Sequence, residues 1–367
     1  MDGAAKPVFR GRSGDGAGLA GGPDIILRNQ IDGEALHRSG VRFAVASLWP
    51  PFRLRPNVDV LGESVRQLRG LDRFVQTTPG FAVARDPEAA RGLIARGYLT
   101  VLPAVEGGEG IRTVEEVDVL WAAGARLVTL VHFGDNAIGG AAYGQVPPGL
   151  FDETKRTERG LTDTGRAVVE RMMALGMIID LAHASDRTMA DVLALTEKRG
   201  VPVVYSHAGA RALRDSERNL GDELAKRIVA GGGIIGVTAF EHYLENVPEG
   251  ARLPEHAHGT CDDQVAHWLH FAKLVGPEHV TLGSDFNGFV KRTAAGGKCP
   301  DGLRHVGDLG AFYAALESAG ISREAIDGGG ERLLTLWDRV ESAADPQARA
   351  RASQVAVPEY RLLESPL

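Results

Sequence analysis

The stretch that decides the fold is VLPAVEGG at 101–108, an apolar run that ends in Glu106. Three further runs have the same form: MIIDLAHAS (177–185) with His183, VPVVYSHAG (201–209) with His207, and VTLGSDFNG (280–288) with Asp285. Runs that are apolar on both faces are typical of parallel strands covered by helices. Each run therefore predicts a buried strand whose end presents a functional group.

Strand-like and helix-like segments alternate along the chain, as expected for stacked βα units. The predicted strands are 41–48, 98–105, 126–131, 177–181, 201–205, 233–238 and 279–284. In a closed α/β barrel every strand delivers its C-terminal end to the same rim. The pattern predicts an α/β fold of the (β/α)8 TIM-type barrel class, with seven strands visible and one missing.

Helix signals fall between the strands. The segment LTDTGRAVVERMMALG (161–176) predicts a helix with Gly176 as its C-cap, and Asp186 is a candidate N-cap for a helix over 187–199. The longest irregular stretches all follow a strand, and they are 133–161, 239–261 and 286–305. They are therefore expected on the rim, as lids and specificity loops.

The length of 367 residues fits a single barrel domain with extensions. The first 22 residues hold seven glycines, without helical or strand periodicity. We predict an N-terminal arm over 1–35, a barrel catalytic domain over 36–340, and a polar C-terminal tail over 341–367 to which we assign no chemistry.

Composition excludes several classes of protein. The 41 Lys and Arg against 48 Asp and Glu give a net charge of −7, which argues against a nucleic-acid surface. No apolar stretch reaches the length of a membrane span, and the N-terminus lacks the apolar core of a signal peptide. We therefore predict a soluble, cytoplasmic protein without a membrane partner. Cys261 and Cys299 do not imply structural disulfides, although a single bridge stays open.

The ligand types at the strand ends indicate a metal site. Two imidazoles, His183 and His207, with the carboxylates of Glu106 and Asp285 on one rim suit zinc or a similar first-row ion. A single histidine on an apolar strand is usually an ordinary core residue, but two in successive βα units favour ligands. Glu106 is alternatively a solvated or capping carboxylate, and Asp285 is alternatively a helix cap.

Four other histidines raise the question of a second metal cluster. They are His256, His258, His267 and His270. Their surroundings in the sequence are polar loop and helix surface. We predict that all four are solvated.

The chain resembles the membrane (renal) dipeptidase family of zinc metallopeptidases from about residue 35 to 340. The motifs that carry the resemblance, in the family's order, are VEGGEG (105–110), TLVHFGDN (129–136), DLAHAS (180–185), SHAGARAL (206–213), RNL (218–220) and LGSDFNG (282–288). The resemblance implies a barrel like those of the metallo-dependent hydrolases, a homodimer, and hydrolysis of dipeptides that often tolerates a D-residue at the C-terminal position.

The resemblance also implies a role for each matching residue. Glu106 falls on the glutamate that bridges two zinc ions, and His183 and His207 fall on the histidines of the second ion. Asp285 matches the acid-base aspartate near the first ion. His132 matches the histidine that contacts the substrate near the scissile carbonyl, and Arg218 matches the arginine that holds the C-terminal carboxylate of the dipeptide.

One family feature is missing at the first strand. Family members end that strand in a His-x-Asp or His-x-His pair that completes the first metal site, whereas the first histidine here is His37, in the helix-like EALHRSG (34–40). One segment would supply both the missing strand and the missing ligand pair. Its absence suggests a chain that begins downstream of the natural start. We expect one or two zinc ions, with one site incomplete and the activity of this chain impaired.

The sequence therefore predicts a zinc-dependent dipeptidase that uses metal-activated water. Two alternatives stay open. One is another barrel metallohydrolase, acting on an amide, lactone or phosphoester, which would keep the metal residues but not need Arg218. The other is a metal-binding relative that has lost turnover.

Overall fold

The computed structural model of the protein describes residues 33–50, 59–142, 157–244, 259–286, 299 and 302–358. Most of the predicted N-terminal arm lies outside these residues, and so do parts of the predicted rim loops and the histidines His256 and His258. The described residues form two compact units. The first unit is made of the described parts of 43–151, 157–202 and 337–367, and the second of those of 1–42 and 203–336.

Eight strands alternate with helices along the described residues, and each strand pairs in parallel within its unit. They are β1 (Phe43–Leu48), β2 (Phe81–Val83), β3 (Leu99–Glu106), β4 (Leu127–Thr129), β5 (Ile178–Asp180), β6 (Val204–Ala208), β7 (Ile234–Thr238) and β8 (Val280–Gly283). Each predicted strand is present. This alternation is that of the (β/α)8 TIM-type class, which confirms the predicted fold class.

In the first unit β3 has three partners. Strand β1 pairs along 100–105 on one edge, while β2 pairs at 99–101 and β4 at 104–106. Since a strand has two edges, β2 and β4 share the second one, and β5 pairs with β4 beyond it. Strand β2 was not predicted, because its apolar run is only four residues long, 81–84, whereas the equally short β4 and β5 lie within longer and mainly apolar segments. The predicted absence of a first strand concerns the chain before β1, of which 1–32 lie outside the described residues.

In the second unit β6, β7 and β8 form a parallel row. Val204 pairs with Ile234, and Ile235 pairs with Val280. Every residue of β7 is buried, as expected for a strand covered on both faces. This row positions His207, near the end of β6, and Asp285, two residues after β8.

Helices precede, separate and follow these strands along the described residues. They are α1 (Gly33–Arg38), α2 (Val60–Thr77), α3 (Pro87–Ala95), α4 (Val114–Ala122), α5 (Asp163–Leu175), α6 (Asp186–Arg199), α7 (Asp222–Ala230), α8 (Cys261–Val275), α9 (Leu309–Ser318), α10 (Arg323–Asp327), α11 (Gly329–Ser342) and α12 (Pro346–Ala352). Short 3-10 helices lie at Glu241–Tyr243, Pro277–His279 and Val306–Asp308. No helix in the described part of the chain is both long and apolar enough to cross a lipid bilayer.

Two predicted helix ends are tested by the structure. Helix α5 ends at Gly176, whose φ of 69° is the left-handed conformation that glycine adopts without steric cost, as predicted. The N-cap of α6 is Ser185 and not Asp186, because the Ser185 hydroxyl accepts a hydrogen bond from the Thr188 N–H. Asp186 is instead the first helical residue, where a carboxylate favours the positive end of the helix dipole.

The C-terminal stretch is part of the first unit. Helix α12 contacts α4 and α5, and Ala348 and Ala352 are buried. The Arg349 guanidinium donates from Nε to the Leu175 carbonyl at 2.9 Å, which satisfies an orphan acceptor at the end of α5. The predicted boundaries at 35 and 340 stay predictions.

The two cysteines are joined, which is the single bridge that the sequence left open. Cys261, at the start of α8, pairs with Cys299, and both are fully buried. The bridge spans 38 residues of sequence. The pairing ties the chain after β8 to the start of α8 within the second unit.

Candidate metal centre

Glu106 is the last residue of β3, the strand whose preceding residues are all buried. Its side chain is 13% exposed, as expected for a functional group at a strand end. Gly107 follows with a φ of 102°. A Cβ at Gly107 would collide with the Glu109 carboxylate and lie 3.3 Å from the His132 Cβ. Glycine at 107 therefore lets the end of β3 pass close to the chain that follows β4.

His132 lies in that chain and faces Glu106. Its Nε2 is 3.4 Å from Glu106 Oε1. Its backbone N–H donates to Glu109 Oε1 at 2.9 Å, so the second carboxylate of the VEGGEG motif anchors the histidine. The centroid of the His132 ring lies 3.8 Å from that of Phe133 and 5.7 Å from that of Trp49. Glu109 was not singled out in the sequence, although its place in the motif is a usable signal.

His183 faces the same carboxylate. Its Nε2 is 3.5 Å from Glu106 Oε1, and its ring centroid is 4.1 Å from that of His132. The residue has a φ of 65°, in the left-handed region that is unfavourable for a side chain with Cβ. Its carbonyl accepts a hydrogen bond from the Ala142 N–H at 2.7 Å. The strained backbone is thus held from the neighbouring loop.

Asp180, at the end of β5, supports the turn that leads to His183. One oxygen accepts from the Ala182 N–H at 3.0 Å, and the other accepts from the Thr129 hydroxyl at 2.6 Å. The side chain is 1% exposed. A buried carboxylate is costly unless it is hydrogen-bonded, and these bonds offset that cost. Sequence analysis missed Asp180, which stands inside the DLAHAS motif.

The second unit positions His207 on β6. Its side chain is 7% exposed, and its Nδ1 is 2.8 Å from the Ser206 hydroxyl. A hydrogen bond at one ring nitrogen fixes the orientation of the ring and directs the other nitrogen, Nε2, toward a ligand. This pattern is usual for histidines that bind metals.

The donor set fits a metal ion. Two ligand atoms bound to one tetrahedral zinc at about 2.0–2.1 Å are about 3.4 Å apart. Glu106 Oε1 lies 3.4 Å from Nε2 of His132 and 3.5 Å from Nε2 of His183, and both distances are longer than ordinary hydrogen bonds. Glu106 and His183 of the first unit offer a carboxylate and an imidazole, which are donor types that zinc binds, and the third predicted ligand, His207, belongs to the second unit. His132 has the same distance to Glu106 as His183, so distance alone does not separate their roles.

Arg218 is buried, with 1% of its side chain exposed. Its Nη1 donates to the His207 carbonyl at 3.0 Å and to the Tyr205 hydroxyl at 3.3 Å. The guanidinium carbon lies 5.1 Å from the centre of the Tyr243 ring, in a cation–π contact. The structure therefore brings Arg218 together with His207 within the second unit, and a guanidinium so enclosed is held in one orientation.

Asp285 lies two residues after β8 and has a φ of 54°. Among the described residues, His183 and Asp285 are the two non-glycine residues with positive φ. Strain of this kind costs about 1–3 kcal/mol and clusters at functional sites. Both strained residues are ones that the sequence pattern selects.

The prediction that the remaining histidines are solvated is wrong for His267. Its side chain is 1% exposed and lies on the buried face of α8. Burial lowers its pKa to about 4, with a smaller opposing effect of the hydrogen bond to the Leu244 carbonyl. His270 is half-buried, and its Nε2 is 2.8 Å from Asp222 Oδ1. Within the described residues neither histidine belongs to a second metal cluster.

Comparisons with known proteins agree with these features. Two curated relatives are uncharacterized dipeptidases of Schizosaccharomyces pombe. One is 34% identical over 253 residues, which cover 68% of this chain and 55% of the relative. The other is 31% identical over 249 residues, covering 67% and 54%. The chain thus spans about half the length of the curated relatives it matches.

Solved structures share the fold. The probable dipeptidase PvdM from Pseudomonas aeruginosa superposes with a TM-score of 0.71 at 23% identity, covering 86% of this chain and 90% of that chain. A metallo peptidase from Rhodobacter sphaeroides, liganded with a phosphinate mimic of the dipeptide L-Ala-D-Ala, has a TM-score of 0.68 at 21% identity, covering 88% and 92%. The family model "Membrane dipeptidase (Peptidase family M19)" matches residues 23–351. The chain therefore belongs to the membrane dipeptidase family of metallopeptidases.

Proposed function

We propose that the chain is a zinc-dependent dipeptidase. The observation that carries the proposal is the Glu106 carboxylate at the end of β3, with imidazoles 3.4 and 3.5 Å away, in a member of the membrane dipeptidase family. The naming of the fission yeast relatives as dipeptidases supports dipeptides as the substrate class. The phosphinate ligand of the Rhodobacter sphaeroides peptidase supports a dipeptide with a D-residue at its C-terminal position.

The proposed ligands of the second ion are Glu106, His183 and His207, and Asp285 is proposed as a carboxylate near the first ion. Three protein ligands leave a coordination position for water, which is the arrangement of catalytic zinc sites. A bound zinc ion supplies Lewis acidity, which polarises the peptide carbonyl and lowers the pKa of water. Neither a serine nor a cysteine nucleophile is needed.

The chain's own groups perform the remaining steps. The Asp285 carboxylate accepts a proton from the attacking water and returns it to the leaving amine. His132 Nε2 donates a hydrogen bond to the carbonyl oxygen as negative charge develops on it. Arg218 binds the free carboxylate of the dipeptide, because a planar guanidinium matches a carboxylate with two parallel hydrogen bonds.

Arg218 distinguishes a dipeptidase from another barrel metallohydrolase. An amide, lactone or phosphoester hydrolase needs the metal ligands but has no use for a buried cation at the carboxylate position. The guanidinium of Arg218 is 1% exposed and is held by Tyr205 and His207. Burying an arginine is costly, so its presence favours a function that uses the charge. Homodimerisation and a cytoplasmic location stay predictions from the sequence.

The test is a comparison of substrates with the zinc-loaded protein. The substrates are L-Ala-L-Ala, L-Ala-D-Ala, the C-terminal amides of both, a lactone and a phosphoester. We expect hydrolysis of the free dipeptides, loss of that activity on chelation, and little cleavage of the amides. Equal cleavage of dipeptides and their amides would contradict the role of Arg218, and preferred cleavage of a lactone or phosphoester would replace the proposed function. Zinc binding without any turnover would identify a metal-binding relative.

A further inference from the structure

Two consecutive backbone N–H groups after β6 are bound by side chains from elsewhere in the second unit. The Gly209 N–H donates to Asn219 Oδ1 at 3.0 Å, and the Ala210 N–H donates to His267 Nδ1 at 2.7 Å. These two amides directly follow the segment that carries His207. Strand β6 ends at Ala208, and the two side chains bind the backbone amides that follow it.

The same two side chains also form hydrogen bonds with two consecutive carbonyls, at the end of the 3-10 helix Glu241–Tyr243 and directly after it. Asn219 Nδ2 donates to the Tyr243 carbonyl at 2.9 Å, and His267 Nε2 lies 3.0 Å from the Leu244 carbonyl. Because His267 Nδ1 accepts from an amide, the ring proton is on Nε2, which donates to Leu244. Asn219 and His267 thus bridge two adjacent N–H groups to two adjacent carbonyls. We call this pair of side chains the brace.

The brace is fully enclosed. Asn219 is 0% and His267 is 1% exposed. Gly209 leaves no room beside it, since a Cβ there would lie 2.5 Å from the Tyr243 carbonyl oxygen and 2.6 Å from Asn219 Oδ1. Buried hydrogen bonds between fully satisfied groups define one arrangement of the chain, because any other arrangement leaves a buried polar group unpaired.

The segment that the brace holds has active-site residues at both ends. It begins at His207, near the end of β6. It closes on itself because the Leu220 N–H donates to the Gly209 carbonyl and the Arg211 N–H donates to the Leu220 carbonyl, each at 3.0 Å. Arg218 lies just before the closure, and its guanidinium packs on the ring of Tyr243. The brace therefore fixes both the backbone of Arg218 and the ring beneath its guanidinium.

We propose that Asn219 and His267 are positioning residues that set the place of the Arg218 guanidinium and thereby the affinity for the substrate's carboxylate. The proposal rests on the proposed function for the role of Arg218. Neither side chain touches the substrate or the metal. Loss of the brace raises KM for free dipeptides while leaving kcat and metal content close to those of the parent, because Arg218 contributes binding energy remote from the scissile bond.

The test compares two substitutions of His267 with one control. His267→Phe keeps a ring and removes both hydrogen bonds, whereas His267→Gln keeps one acceptor and one donor at a similar separation. His270→Phe, three residues along the same helix and half-buried against Asp222, is the matched control. Each zinc-loaded protein is assayed for KM and kcat on a free dipeptide, for bound zinc, and for hydrogen exchange of peptides covering 207–220.

We expect His267→Phe to raise KM by about tenfold, because the displaced Arg218 guanidinium loses roughly one of its hydrogen bonds to the substrate's carboxylate, with kcat within about threefold and zinc unchanged. His267→Gln restores KM to within about threefold of the parent, and His270→Phe leaves it unchanged. Exchange over 207–220 becomes faster in His267→Phe alone. An unchanged KM in His267→Phe overturns the proposal, and so do parallel losses of zinc and kcat in both His267 variants.

The exchange measurement separates this proposal from the proposed function. If the parent hydrolyses no dipeptide, the proposed function fails on its own evidence. The positioning role of the brace is then tested by the hydrogen-exchange rates of the amides of 209–210 and 218–220. Faster exchange there in His267→Phe, and not in His270→Phe, supports the positioning of Arg218 by the brace. Equal exchange in the two variants overturns it.

Discussion

Oε1 of Glu106 lies 3.5 Å from Nε2 of His183, although β4 separates the strands that present them. The separation is too long for a strong hydrogen bond and matches that of two ligands on one tetrahedral zinc, about 3.4 Å. Holding His183 there requires a left-handed backbone, which the Ala142 N–H and the turn at Asp180 support. Backbone strain is thus retained at a residue that we propose as a metal ligand.

His132 and His183 give a matched pair of substitutions, because each ring is equally close to Glu106. We expect His132→Ala to keep its zinc and to lower kcat by at least about a hundredfold, as for the loss of a hydrogen-bond donor to a developing oxyanion. Metal analysis and steady-state kinetics on the same preparation check this. Loss of zinc from His132→Ala would make His132 a ligand and would require a new assignment of the oxyanion donor.

Arg218→Lys keeps the charge and removes the planar, two-pronged guanidinium. Losing a charge-assisted contact costs roughly 2 kcal/mol, so we expect kcat/KM for free dipeptides to fall about 30-fold. The ratio of dipeptide to dipeptide-amide hydrolysis is the measured quantity, since it cancels general damage to the site. A ratio equal to that of the parent would show that Arg218 does not bind the carboxylate.

Gly107→Ala tests the close approach at the end of β3, and Gly97→Ala is its control. Both glycines have positive φ, 102° and 85°, but a Cβ at Gly97 meets nothing within 4 Å. Gly97→Ala should cost about 1 kcal/mol of unfolding free energy from backbone strain alone. Gly107→Ala should cost about 3 kcal/mol, because the new methyl group displaces Glu109 and His132. Equal losses of unfolding free energy in the two variants, measured by urea unfolding, would contradict the packing argument.

His267 predicts a pH dependence of stability. Burial lowers its pKa from 6.5 to about 4, so the unfolded chain binds a proton in a range where the folded chain does not. Stability is therefore complete above pH 6.5 and falls as the pH decreases toward 4, by up to about 3 kcal/mol. Urea unfolding of the parent and of His267→Phe at pH 7, 5.5 and 4.5 measures the difference. A parent-to-variant difference that is constant with pH would contradict the buried neutral imidazole.

The strand ends were predictable because each is preceded by an apolar run that only a covered parallel strand tolerates. The positions of Glu106, His183 and Asp285 follow from that pattern alone. Strand β2 was missed because its apolar run ends after four residues, at Ala84. His267 was misread, since its partners are the distant Ala210 amide and Leu244 carbonyl, and nothing local marks a polar residue on the buried face of α8.

Neither the burial of Arg218 nor the Cys261–Cys299 bridge could be predicted from the sequence, because both depend on contacts between segments that are distant along the chain. The contacts of Arg218 with Tyr205, His207 and Tyr243 arise only when the segment after β6 folds back on itself. The two cysteines are 38 residues apart, and their pairing depends on the path of the chain between them. Residue spacing describes local periodicity, and it contains no information about such non-local contacts.

The central claim is that Glu106, His183 and His207 hold the catalytic ion, and zinc stoichiometry tests it most directly. Bound zinc is measured by elemental analysis after dialysis, in the parent chain and in the double variant His183→Ala, His207→Ala. The parent should retain about one tightly held zinc, since the sequence up to the end of β1 contains no His-x-Asp or His-x-His pair for a second site, and the double variant should retain none. Equal zinc in the two proteins would contradict the account.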